Sequence, residues 1–282
     1  MYGQILIPLD GSLFAEEIVP YAMSLAKSAN APVTLLRAVP HETEVAAAEE
    51  YISSLAGRLG VDGMVANAHE HPAGAIVSEM DRRPGALVAM TTHGRTGLSE
   101  TILGSVAHRV VHGASRPVLL YRPRGASGDV DVTRQAKIDT VVALLDGSEF
   151  SERILPHAVG MARAAAATLT LVQVVPPGFT KPPMANSGDV LETNYIHRWA
   201  GRIRSRDGIA AEWDVLHGQP ADAICHYAHD RPEAILAMSS HARPRLVETV
   251  FGGVTHECVR RAGVPILVWS APPGPALEAT TG

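Results

Sequence analysis

The stretch ILIPLDGSLFAEEIVPYA, Ile5–Ala22, has a second copy, VVALLDGSEFSERILPHA, at Val141–Ala158. Asp10-Gly11-Ser12 aligns with Asp146-Gly147-Ser148, and Pro20 aligns with Pro156. The match continues outward from these anchors. PVTLLRAVP from Pro32 matches TLTLVQVVP from Thr168, and PAGAIV from Pro72 matches PADAIC from Pro220. RPGALVAMTTHGR from Arg83 matches RPEAILAMSSHAR from Arg231, and RPVLLYRP from Arg116 matches VPILVWSAP from Val264. Self-similarity on this scale predicts two copies of one domain. The offset between copies is 136 residues early and 148 later, which predicts a 12-residue insertion in the second copy. The Pro- and Gly-dense PPGFTKPPMANSG, Pro176–Gly188, is the natural place for it. The expected organisation is a first domain over 1–122, a linker over 123–136, a second domain over 137–270 and a disordered tail over 271–282.

Within each copy, short apolar runs alternate with longer amphipathic segments. In the first, QILIPL, VTLLRAV, a weaker run near Val61–Ala68, ALVAM and PVLLYR read as strands. Helices are expected over FAEEIVPYAMSLAKSA, over ETEVAAAEEYISSLAGRLG, from Pro72 to Met80 and over SETILGSVAHRVVHGA. Pro20 inside the first of these implies a kink or break. Strands apolar along their whole length suit a parallel sheet covered on both faces. Each copy is therefore expected to be a doubly wound α/β domain of about five strands. Such sheets bind ligands beyond the carboxyl ends of their strands, near the switch in strand order.

Three segments occupy that position. PLDGS, Pro8–Ser12, leaves the first strand, where Asp10 could accept hydrogen bonds from a ligand. Asp10 and Ser12 are equally suited to capping the next helix, and the two roles are compatible. RAVP, Arg37–Pro40, leaves the second strand and offers backbone groups around Ala38. TTHGRTGLSETILGSV, Thr91–Val106, follows the fourth strand. Gly94 and Gly97 let backbone amides approach an anion without an intervening Cβ. Gly104 falls within the apolar spacing of Ile102, Leu103, Val106 and Val110, so it reads as a glycine inside a helix, costing about 1 kcal/mol against alanine. A close ligand or close helix packing would explain that cost, and Ser105 beside it can donate to a phosphate oxygen.

These residues, together with the repeat, resemble the universal stress protein family, with two such domains in tandem. The family's nucleotide signature is Gly, two residues, Gly, nine residues, then Gly-Ser or Gly-Thr. Here the second glycine falls on Gly94, Arg95–Leu103 follow, and Gly104-Ser105 completes the pattern, while Thr91 holds the first glycine's position. The resemblance implies a Rossmann-like open parallel sheet, as in adenine nucleotide alpha hydrolases. It implies bound ATP, accompanied by Mg2+, and a regulatory role in stress. The residues it implicates are Pro8, Asp10, Ala38, Thr91, His93, Gly94, Arg95, Gly97, Gly104, Ser105 and Val106. In the second copy the corresponding run is SSHARPRLVETVFGGV, Ser239–Val254, and the counterparts are Asp146, Val174, Ser239, His241, Gly252 and Gly253. Ala242 replaces a signature glycine and Gly253 replaces the Ser105 hydroxyl. The second site is expected to be weaker or altered, with Arg243 and Arg245 as compensating charges, or else empty and serving mainly in domain pairing.

The remaining readings narrow the chemistry. GxxxxGK[ST], HRD, DFG and GxSxG are all absent, so no dedicated phosphoryl- or acyl-transfer site is expected. A slow ATPase and a nucleotide-independent scaffold are the alternatives. His93 and His241 occupy matching positions, where ordering the loop is the simpler role. Cys225, His226 and His229, and the pair His69 and His71, lack a fourth ligand; Cys225 points away from the face that His226 and His229 share, and the histidines read as surface groups rather than metal sites. The apolar last strands of the two copies are expected to pair with each other, and a homodimer of such chains is possible in principle. The net charge of −5 argues against nucleic acid and anionic membrane as partners. Two cysteines and the absence of a secretory N-terminal pattern or a 20-residue apolar run lead to an expected cytoplasmic, soluble protein with an unidentified regulatory partner.

Overall fold

A computed structural model describes residues 2–68, 71–92, 104–123, 130–178, 187–240 and 252–270. In the first half the elements are β1 (Gln4–Pro8), α1 (Leu13–Glu16), α2 (Val19–Ala29), β2 (Val33–Val39), α3 (Val45–Leu59), β3 (Asp62–Asn67), α4 (Pro72–Asp81), β4 (Ala86–Thr91), α5 (Ser105–Gly113) and β5 (Val118–Tyr121). The second half repeats them as β6 (Thr140–Leu145), α6 (Glu149–Glu152), α7 (Leu155–Ala165), β7 (Thr168–Val175), α8 (Ser187–Asp207), β8 (Ala211–His217), α9 (Pro220–His229), β9 (Ala234–Ser240), α10 (Gly253–Arg261) and β10 (Ile266–Ser270). Pro20 does break its helix: the chain turns after Glu16, and Pro20 enters the first turn of α2, where its missing N–H has no intrahelical partner to lose. Pro156 does the same at α7.

The strands form one ten-stranded sheet in the order β3-β2-β1-β4-β5-β10-β9-β6-β7-β8. Each half is parallel throughout, and the halves join where β5 and β10 pair antiparallel, with Leu120, Leu119 and Val118 facing Ile266, Leu267 and Val268. Thus the expected pairing of the last strands takes place within the chain. Side chains alternate across the sheet. Ile5 and Ile7 face one apolar layer with α2, α3, α7 and α8, and Leu6 faces the other with α4, α5, α9 and α10. Both layers run through the seam without interruption, because each contains residues of both halves. Part of the expected linker also joins the core, since Val132 is buried in the first layer.

Strand register refines the insertion. Val39 pairs with Asn67, 28 residues on, whereas Val175 pairs with His217, 42 residues on. The second half is therefore longer before β8, then shorter in the loop to α9, which together give the net offset. Residues 179–186 of the inserted stretch and the expected tail, 271–282, lie outside the described residues. Among the described residues, no helix is long and apolar enough to cross a membrane.

Candidate functional site

In each half the chain leaves its first strand through the same turn. Gly11, at φ +82°, adopts a left-handed conformation that side chains disfavour. This lets Asp10 fold back, so that its Oδ1 accepts from the Ser12 amide at 3.0 Å and the Ser12 hydroxyl at 2.6 Å. Ser12 then caps α1 by accepting from the Ala15 amide. Asp146, Gly147 and Ser148 repeat every one of these contacts at α6. Burial raises the Asp146 carboxyl, but the Ser148 hydroxyl and amide outweigh it and hold the group below its ordinary range. A second tie fixes each turn from behind. The Tyr51 hydroxyl donates to buried Glu16 at 2.8 Å, and in the second half both the Tyr195 hydroxyl and the Trp199 indole donate to Glu152.

Asp10 lines a cavity of about 460 Å3 beyond the carboxyl ends of β1, β2 and β4. This is the switch point, since β1 lies between β2 and β4. Pro8, Ala38, Thr91, Gly104, Ser105 and Val106 share its wall, with an apolar floor that includes Leu36, Ile76 and Met90. Gly104 corrects the sequence reading: it is the N-cap of α5, not a residue within the helix. The apolar spacing ran on past the true boundary. Its φ of −63° and ψ of 155° are open to any residue, so the backbone does not demand a glycine. Gly104 donates its N–H to the Thr92 carbonyl at 2.7 Å, and no side chain caps the helix. The first-turn amides of α5 therefore lack a capping side chain where the helix meets the cavity, the arrangement that attracts an anion.

Arg37 is the residue that sequence reasoning passed over. It is 8% exposed, lines the cavity, donates to the Leu9 carbonyl, and sets its guanidinium against Gly11. The only sequence signal was a charge within an otherwise apolar strand.

The second half has its own cavity, about 650 Å3, lined by Asp146, Val174, Ser239, Gly252 and Gly253 among others. Gly252 is the N-cap of α10, and its amide donates to the Ser240 hydroxyl. Among the described residues, a Cβ on Gly252 or Gly253 would meet nothing within 4 Å. Neither backbone strain nor packing against the described residues thus accounts for the glycine at 252. Gln173 stands where Arg37 stands in the first half, with its amide nitrogen beside Gly147. Its Oε1 is buried without a hydrogen-bond partner. The first lining carries Arg37, Glu44 and the Ser105 hydroxyl, whereas the second has Gly253 in place of Ser105 and adds the hydroxyls of Ser151 and Thr255 where the first has Ala15 and Ala107.

His93, Gly94, Arg95, Gly97 and His241, with Ala242, Arg243 and Arg245, lie outside the described residues. Of the histidines considered as metal ligands, His71 instead caps α4, its Nδ1 accepting from the Ala73 amide. Among the described residues, no group of three or more His, Cys, Asp or Glu could hold a metal ion. Cys225 points away from the face of His226 and His229 and is buried against α10.

The sequence profile of the universal stress protein family matches residues 1–122 and again residues 137–270. This chain belongs to that family. A universal stress protein of Methanocaldococcus jannaschii is 30% identical over 141 residues, covering 43% of this chain and 83% of its own. One of Mycolicibacterium smegmatis is 23% identical over 295 residues, covering 95% of this chain and 96% of its own. The crystal structure of a universal stress protein from Archaeoglobus fulgidus superposes with a TM-score of 0.72 at 19% identity, over 96% of this chain and 99% of that one. The tandem universal stress fold is thus the fold of this chain.

Proposed function

We propose that this universal stress protein binds ATP in the first-half cavity and acts as a nucleotide-dependent regulator in the stress response, without being a dedicated catalyst. One observation carries the reading: Asp10, Ala38 and the uncapped start of α5 at Gly104-Ser105 meet in a single cavity at the switch point. An adenosine would lie on the apolar floor, its ribose toward Asp10 and its phosphates toward the amides of Ser105 and Val106 and the Ser105 hydroxyl. Gly104 fits this role, because its backbone is unstrained and a side chain there would stand in the phosphates' path. Arg37 adds a buried positive charge. Mg2+ would arrive on the phosphates, as the described residues supply no acidic cluster for it. Binding would shift a conformational or partner equilibrium only by its differential affinity for the two states.

The second cavity, with Gln173 for Arg37 and Gly253 for Ser105, is proposed to hold nucleotide less well. The test is to denature purified protein and quantify the nucleotide released. About one ATP per chain is the expected result. Two per chain would refute the asymmetry. None, together with no calorimetric signal on adding Mg-ATP, would overturn the reading in favour of a nucleotide-independent scaffold.

A further inference from the structure

The chain has two cysteines, Cys225 and Cys258, and the fold brings them together. α9 and α10 pack directly against one another over the same face of the sheet. From α9, the Cys225 Sγ reaches to 3.9 Å from the backbone carbonyl oxygen of Glu257, the residue preceding Cys258. Both thiols are free. Cys225 is 7% exposed and Cys258 is 0% exposed, so of the two buried cysteines Cys225 is the one nearer to solvent.

We propose that Cys225 and Cys258 form a reversible intrachain disulfide when a hydroperoxide reaches Cys225. The Cys225 thiolate attacks the peroxide oxygen, the O–O bond breaks, and a sulfenic acid and one water (or alcohol) result. The Cys258 sulfur then attacks the sulfenyl sulfur. The S–S bond forms, the S–O bond breaks, and hydroxide leaves as water with the Cys258 proton. The two thiols give up two electrons and two protons, and the peroxide is reduced.

The surroundings divide the roles in this order. The neighbouring Cys258 thiol, and then the Arg261 guanidinium, hold the Cys225 thiol below its ordinary range. Arg261 is itself fixed by Asp222 at 2.7 Å and by Glu257. The neighbouring Cys225 thiol, followed by burial, pushes the Cys258 thiol up. A bulky disulfide such as glutathione's would be shut out by the burial. The consequence is local. α9 supplies Pro220 and Ile224 to the second cavity and α10 supplies Gly253, Val254 and Thr255, so the bond tethers two walls of that cavity and none of the first.

The experiment titrates the native chain with hydrogen peroxide, blocks remaining thiols, and maps unreduced peptides by mass spectrometry. The expected result is joint loss of both thiols, one Cys225–Cys258 peptide pair lighter by two hydrogens, a monomer on non-reducing gels, and full recovery with dithiothreitol. Cys258→Ser is expected to leave a trappable sulfenic acid at Cys225, and Cys225→Ser to leave Cys258 unreacted at the same dose. Both thiols remaining free in the native chain, sulfinic acid at Cys225 without loss of Cys258, or linkage between chains would each overturn the proposal. The wild-type peptide map decides on its own should either variant fail to fold.

Discussion

Leu119 on β5 stands directly opposite Leu267 on β10, and both are fully buried where the two halves meet. They lie in the same apolar layer, which extends from α2 and α3 to α7 and α8. The seam is therefore core, not a contact between separately finished domains. Leu267→Ala is expected to cost about 2–5 kcal/mol, the range for truncating a buried leucine. Denaturant unfolding measures it. The halves should also unfold together. All three tryptophans, Trp199, Trp213 and Trp269, lie in the second half. Tryptophan fluorescence and far-UV circular dichroism should consequently give coincident transitions. Separate midpoints would show that the seam does not couple the halves.

Gly104→Val tests the first cavity. The residue's extended backbone suits a β-branched side chain, so the fold should survive. Nucleotide affinity should fall at least about tenfold, or 1.4 kcal/mol, because the new methyls would occupy the phosphate approach. Unchanged ATP content after purification would remove Gly104 from the site.

Arg37→Gln gives the first half the residue that stands at this position in the second. Loss of a buried cation is expected to weaken nucleotide binding by about tenfold, the scale of one charge-assisted contact. Gln173→Arg is expected to strengthen the second site. Calorimetry on both variants compares the directions, and equal affinities would show that this position is neutral.

The pattern of these predictions reflects what the chain discloses before it folds. The repeat, the strands and the Asp-Gly-Ser turn were legible, because apolar runs and a left-handed glycine carry their structure locally. The α5 boundary was not, since Ile102 and Leu103 extend the helical spacing beyond its start. Arg37 was missed because a strand residue's burial depends on the layer above it. The approach of Cys225 to the backbone beside Cys258 was equally hidden, arising because two helices far apart in sequence pack over the same face of the sheet. For the signature loops at 93–103 and 241–251, which lie outside the described residues, the sequence pattern remains the guide.

Acid should destabilise the fold through histidine. Burial holds His71, His108, His112 and His157 below the ordinary imidazole value. The unfolded chain then binds protons that the folded chain refuses. Stability is complete above about pH 6.5 and is lost as pH falls below it. Thermal midpoints at pH 7.5 and 5.5 should differ in that direction. His108→Gln with His112→Gln, whose rings lie 5.0 Å apart, should flatten the dependence. An unaltered slope in this double variant would exclude the pair as a contributor.

The antiparallel meeting of β5 and β10 has one more effect. Each half runs parallel within itself, so the two halves point in opposite directions and their cavities open at opposite ends of the molecule. No single ligand can bridge them, and a partner docked over one leaves the other exposed. Such a molecule is two-headed. A ligand or partner at one head acts on the other through the shared sheet and the apolar layers that cross the seam on both of its faces.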